Sequence, residues 1–353
     1  MAKVKQIAGI ECEGAAAAAI RLVVTTRLKE MSALREKAFD WSDPEGVHDM
    51  RVASRRLRSA LRDFMPYVRK RRVSHSLQGI KAIADALGRV RDQDVAIIAL
   101  EKLAAKAPPE VSPGIQALAD GRRTRRDEAR AELHAILDQD RLVQLQSDFL
   151  LAFEAALTPP QGRGKPRQSA NLAGNFKYRD VARATIPERL KEFEKLSDSL
   201  YHPLKAKPLH RMRIAAKRLR YALELFDQCW GQPMLFFAKK VAALQSSLGE
   251  LHDCDVWIVD FGDDLANAAT QTAIGAVASE REAASLWLLG HFVRLRTKHF
   301  RNALKRWREW DANDFSGQLR KLVQIDSSLQ AATTSKAAIA STQATGLAPT
   351  QDA

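Results

Sequence analysis

The chain has 353 residues, of which 46% are hydrophobic and 7% aromatic, and its 56 Lys and Arg outnumber 42 Asp and Glu for a formal charge of +14. That composition excludes a disordered chain and leaves room for two domains or one duplicated unit. The basic excess favours an anionic partner (nucleic acid, anionic lipid or a phosphate polymer) without choosing among them.

Residues 7–39 contain no proline and are dominated by Ala, Leu, Arg, Lys and Glu, which predicts helix. The alanine run inside this segment, AAAAAIRLVV, is too short to span a bilayer and lacks the flanks of a signal peptide, so no membrane partner is expected. A break follows at WSDPEG, with Asp43 as N-cap and Pro44 at the first helical position. The next helix, to about residue 67, carries HDMRVASRRLR at residues 48–58. Further helices are predicted over 74–87 and 95–105 on either side of LGRVRDQD, then over 115–137 and 142–157.

TPPQGRGKPRQSANLAGN reads as a linker. A helix over 178–200 follows, then a break at YHPLKAKP, then HRMRIAAKRLR at residues 210–220. LGELHDCDVWIVDF, from Leu248, matches LGRVRDQDVAIIAL, from Leu87, at an offset of 161, close to the 162 that separates the two basic motifs. Two motif pairs at nearly one offset indicate an internal duplication. The expected fold is therefore all-α, with two pseudo-symmetric four-helix-type bundles. The first covers residues 7–157, a linker 158–176, the second bundle 177–326, and a disordered tail 327–353.

On a helical wheel at about 100° per residue, Arg55, Arg58 and Arg62 fall within about 40° of Arg51, with His48 about 60° away. Met50, Leu57, Leu61 and Phe64 share a separate apolar side. The second copy repeats this, with His210, Arg213, Lys217 and Arg220 on the basic stripe and Met212, Leu219, Leu223 and Phe226 on the apolar one; only Arg62 changes, to Glu224. Like charges at i and i+4 repel by a few tenths of a kcal/mol per pair. A single-sign stripe built twice therefore points to a counter-charge supplied by a ligand. Arg56 and Arg218 lie about 140° off the stripe; either they pair with the acids of the duplicated D-x-D turns, Asp94 and Asp255, or they are simply exposed.

Other basic positions are candidates for the same pocket. Arg122, Arg126 and Arg130 recur every four residues, and His291, Arg294, Lys298, Arg301 and Lys305 repeat the spacing of the first motif near the C-terminus. Arg89, Arg91, Lys239 and Lys240 have weaker geometric support. The three cysteines, Cys12, Cys229 and Cys254, form no CxxC pair, so neither a disulfide nor a thiolate zinc site is expected and a reducing, cytoplasmic setting is the simple reading.

Rows of Arg suit a linear chain of phosphates. Single-strand binders interleave aromatic residues with basic ones to stack bases, and these stripes contain none, so nucleic acid is not the expected partner. The repeated H-x-M-R-[VI]-A-x-[RK]-R-L-R, each copy followed by L-G-x-x-x-D-x-D-V, resembles the CHAD domain family, the conserved histidine α-helical domains. The resemblance implies two bundles around a basic central channel that binds inorganic polyphosphate, at polyphosphate granules, with polyphosphate kinase or other granule proteins as candidate partners. It places the binding motif on His48, Arg51, Arg55, Arg56 and Arg58 and on His210, Arg213, Lys217, Arg218 and Arg220.

Catalysis is not expected. His48-Asp49 and His252-Asp253 each spell the HD pair of metal-dependent phosphohydrolases, but Asp49 becomes Arg211 in the second copy and His252 becomes Arg91 in the first. No P-loop, nucleophile elbow or dinucleotide signature occurs. The expectation is thus a binder with no cofactor and no metal, whose histidines donate hydrogen bonds to phosphate, more so below about pH 6.5 where they charge. The alternatives are a metal-dependent phosphohydrolase acting on polyphosphate or nucleotides, and a generic nucleic-acid or polyanion binder.

Overall fold

The computed structural model describes residues 7–158, 176–271 and 280–324, apart from the side chains of residues 268–271. Almost all of the expected linker and the whole expected tail lie outside the described residues. Among the described residues the regular structure is helical, with one isolated bridge between Ala15 and Lys177 and no strand. The all-α expectation holds.

The helices are α1 (Ala16–Ser32), α2 (Arg35–Ala38), α3 (Pro44–Phe64), α4 (Lys70–Ala104), α5 (Ser112–Ile136), α6 (Gln139–Leu157), α7 (Tyr178–Glu194), α8 (Ala206–Leu225), α9 (Gln232–Gln271), α10 (Glu280–Ala312) and α11 (Phe315–Gln324). The two basic motifs lie within α3 and α8, and each is followed by a long hairpin, α4–α5 or α9–α10. Asp43 caps α3 as expected, its side chain accepting the Glu45 N–H at 2.9 Å, with Pro44 in the first turn.

Two boundary expectations are corrected. The helices expected over 74–87 and 95–105 are one, because LGRVRDQD contains no proline and a single glycine costs a helix only about 1 kcal/mol. Leu87, Val90, Asp94 and Ile97 carry the buried face of α4 straight through it. Conversely, residues 7–15 precede α1 as an irregular strap. Its carbonyls are taken by the other half of the chain: Tyr178 N–H donates to Gly14 O at 3.1 Å and Arg179 N–H to Cys12 O at 2.9 Å.

That strap also overturns the cysteine expectation. Cys12 and Cys229, 217 positions apart, form a disulfide with Cα atoms 5.5 Å apart, while Cys254 stays free and buried. Spacing rules see only local pairs; here the strap brings the two thiols together across the fold. The pairing removes the ground on which a reducing compartment was inferred. No helix among the described residues is long and apolar enough to cross a membrane.

The two halves share a core. Met50, Leu57, Leu61 and Phe64 of α3 and Met212, Leu219, Leu223 and the capping Phe226 of α8 are at most 2% exposed and belong to one cluster. Phe64 meets Tyr178 and Phe226 with ring centroids 6.3 and 6.1 Å apart. The Tyr178 hydroxyl donates to the Leu225 carbonyl at 3.2 Å. A second, smaller core joins the far ends of the hairpins, with Leu100, Ile115 and Ala119 against Phe261, Leu288 and Phe292.

Candidate functional site

Because the apolar stripes of α3 and α8 are spent on the shared core, their basic stripes face the same way and their charges come together. Arg213 sits within electrostatic reach of Arg51 and Arg55, and Lys217 within reach of Arg213, Arg55, Arg62 and Arg58. The long helices supply the opposite side. A Cβ added at Gly88 of α4 would lie 3.9 Å from the Arg51 guanidinium, and one at Gly249 of α9 would lie 3.8 Å from Arg213 Nε. The motif arginine thus lies across each long helix beside the glycine of its L-G, where even an added Cβ would meet it only at ordinary contact distance.

The cleft is less purely cationic than the sequence suggests. Arg51 ion-pairs with Asp92 at 3.0 Å and Arg58 with Asp85 at 3.7 Å. Asp253, at the position of Asp92 in the second copy, lies near Arg213, and burial raises its carboxyl pKa. Asp92 and Asp253 are each the first aspartate of the repeated D-x-D, a signal the sequence carries, whereas Asp85 lies outside it. Its first aspartate faces the cleft, and only the second is turned to the next helix. By contrast Arg55, Arg213 and Lys217 make no ion pair among the described residues, and Arg55 Nε is buried with no hydrogen-bond acceptor.

The remaining candidates divide. Arg62 pairs with Asp63 at 3.2 Å, a buried carboxylate shared with Arg189 at 3.0 Å. Arg220 is buried and held by Glu224 at 2.6 Å and Gln245 at 3.2 Å. Arg218 pairs with Glu192 at 3.4 Å, and Arg56 sits in a small recess with Arg27, Tyr221 and Glu224. Neither Arg56 nor Arg218 meets the acids suggested for it: Asp255 binds Arg296 at 2.6 Å, and Asp94 is buried with Oδ2 unpartnered between Arg91, Arg126 and Arg130.

Several positions expected in the pocket are elsewhere. Arg89 pairs with Glu132 at 2.8 Å on the surface of the first hairpin. Arg122 is bound to Asp260 at 2.6 Å over the Trp257 ring, at the far ends of the hairpins. Arg126 pairs with Asp127 and Arg130 lies 4.7 Å over Trp41. Lys239 and Lys240 are exposed near the start of α9, Lys240 beside the Phe236 ring. Arg294 and Lys298 are exposed on α10. Spacing alone could not assign these, because every amphipathic helix has a charged side and only packing says what it faces.

The histidines flank the cleft in different company. His210 Nδ1 and His252 Nδ1 are 3.1 Å apart, so one donates and the other accepts, whereas His48 stands beside Arg91, Glu45 and Asp49. Burial, then neighbouring arginine, pushes both His48 and His210 below the usual imidazole range, and burial with Arg213 and His210 pushes His252 down to about 4. The expectation that these rings charge near pH 6.5 is thereby corrected for the unliganded protein. Glu45, His48 and Asp49 place possible ligand atoms within 4.8 Å of one another, with Asp49 held by Lys37 at 2.8 Å.

Burial, then Arg213 and Arg55, pushes Lys217 down to about 8. With its folded pKa below the unfolded one, Lys217 lets stability of the empty protein rise with pH above about 8, because the unfolded chain then holds more protons. Anion affinity should move the other way. Raising the pH from 7 to 9 should weaken binding by about tenfold as one charge-assisted hydrogen bond, roughly 1.5–3 kcal/mol, is lost. Titrations of the native chain and of Lys217→Arg should show this loss in the former and not the latter; equal pH dependence would remove Lys217 from the site.

A family model described as the CHAD domain matches residues 22–259. No curated protein matches the chain. Among solved structures, the crystal structure of the CHAD domain from the plant Ricinus communis is 22% identical with a TM-score of 0.58, covering 85% of this chain and 95% of that one. PptA from Streptomyces chartreusis is 14% identical with a TM-score of 0.59, covering 84% of this chain and all of that one. At these identities the likeness is one of fold.

Proposed function

Because the chain belongs to the CHAD domain family, we propose that it binds inorganic polyphosphate between α3 and α8, without catalysing a reaction, as a targeting or scaffolding protein at polyphosphate granules. The observation that carries this reading is the convergence of Arg55, Arg213 and Lys217 from two helices with no ion pair of their own. Three like charges held half-buried together raise one another's energy, and a linear polyanion relieves that cost at each of them. Arg51 and Arg58 would exchange Asp92 and Asp85 for phosphate oxygens, which keeps the empty cleft closed to weaker anions. Among the described residues, Tyr221 on α8 offers no free face for stacking bases, being buried under the Arg55 and Arg220 guanidinium groups.

Titration with length-defined polyphosphate, against single-stranded DNA of matched charge at the same salt, tests the proposal. Clear preference for polyphosphate is expected; equal affinity would make the protein a generic polyanion binder. The Glu45–His48–Asp49 group keeps a hydrolytic reading open to experiment. Phosphate release from polyphosphate should stay at background with added Mn²⁺, and sustained turnover would replace the binding reading with the enzymatic one.

A further inference from the structure

The face of α10 turned away from the molecule carries Arg294, Lys298, Arg301, Lys305 and Arg308, all exposed. At about 100° and 1.5 Å per residue, the five fall within about 40° of one line and extend about 20 Å along it. None makes an ion pair among the described residues, and Glu309, at the edge of the row, pairs with none of them. Outside the described residues the only acidic side chains are Asp326 and Asp352, too few to neutralise the row.

This row cannot be an extension of the cleft. The opposite side of α10 is buried through Leu288, Phe292, Ala303 and Trp310. It is pinned to α9 by Arg296 on Asp255 at 2.6 Å and His299 on Glu250 at 2.8 Å. Glu250 and Asp255 lie about 100° and 120° to either side of Gly249, which faces Arg213, and Ser247, which Arg306 of α10 reaches at 3.3 Å, lies about 160° from it. So α9 stands between the cleft and α10, and the row looks outward behind it. The row is also peculiar to this half: the exposed residues of α5 include Asp120, Asp127, Glu128 and Glu132.

We propose that this outer row is a second binding site for polyphosphate, so that one molecule holds two chain segments and cross-links the polymer. The inference rests on the cleft reading for the identity of the polymer. Charge complementarity names an anion, and geometry narrows it. A single file of cations along one helix, with a shallow hollow lined by Arg301, Lys305 and Arg308, suits a thin, flexible chain that can follow it. An anionic bilayer could hold the row by charge alone, since α10 has spent its apolar side on the cores and has none left to insert. Duplex nucleic acid presents phosphates along two curving strands, which one straight row meets only briefly.

The test compares the native chain with Lys298→Glu/Arg301→Glu/Lys305→Glu, and with Arg55→Ala/Arg213→Ala/Lys217→Ala in the cleft. Calorimetry with short polyphosphate should count two chains per native molecule, one tight and one weak. The α10 variant should keep the tight site and lose the weak one, along with the turbidity that native protein produces with long-chain polyphosphate. The cleft variant should lose the tight site only. A single site in the native chain, or an α10 variant that still gives two sites and turbidity, overturns the inference while leaving the cleft reading intact. A tight site that survives in the cleft variant overturns the cleft reading instead. Loss of binding to duplex DNA or phosphatidylglycerol vesicles, with polyphosphate stoichiometry unchanged, assigns the row to another partner and overturns the inference.

Discussion

Replacing Arg55, Arg213 and Lys217 together by alanine should lower polyphosphate affinity by at least about a hundredfold. Each substitution removes a charged hydrogen-bond donor worth about 1.5–3 kcal/mol, and about 1.4 kcal/mol is a tenfold change. Simple addition would predict more, but residues sharing one ligand are not additive, and the hundredfold figure is the floor. The empty protein should be no less stable, and its unfolding midpoint should rise, since the substitutions relieve a half-buried cluster of like charges that burial already pushes toward deprotonation at Lys217 and Arg213. Arg89→Ala, which breaks only an exposed pair with Glu132, should leave affinity nearly unchanged and serves as the control. The measurement is calorimetric titration alongside thermal unfolding. Native-like affinity in the triple variant, or an equal loss in the control, would mean that total charge rather than this cleft governs binding.

The largest effect on stability should come from Phe64→Ala. Phe64 is fully buried at the end of α3, between Tyr178 at the start of α7 and Phe226 at the end of α8. Truncating such a ring to alanine costs about 3–5 kcal/mol, from lost burial and the cavity left behind. Since that ring joins the two halves, denaturant unfolding of the variant should remain one transition, displaced as a whole. Two transitions with one left at the native midpoint would show that the halves fold as separate bundles and that the shared core contributes little between them.

Much of this was legible in the sequence. Phe64 and Phe226 could be placed on apolar stripes, and Arg51, Arg55, Arg213 and Lys217 on basic ones, because a helix places residues by a fixed rotation and the duplicated motif states that rotation twice. The capping of α3 by Asp43 was legible for a similar reason, being a contact across two residues. Asp92 and Asp253 were within reach as well, since the D-x-D turn recurs with the motif; the second aspartate of each turn drew attention that the first deserved. Arg126, Arg294 and Lys298 illustrate the opposite case. Their spacing matches that of the cleft residues, yet they face Asp127 or open solvent, because periodicity describes a side of a helix and not what lies across from it.

Composition and interactions within a few turns of one helix set the all-helical class, the repeated order of motifs and the sign of the charge each motif presents. Which charges meet depends on long-range packing. The closure of Cys12 on Cys229 across 217 residues, the approach of Arg213 to Arg55, and the placing of α9 between the cleft and the row on α10 depend on how helices far apart in the chain pack. The physical reason is that burial of apolar stripes sets the packing, and the charged sides face whatever that packing leaves open.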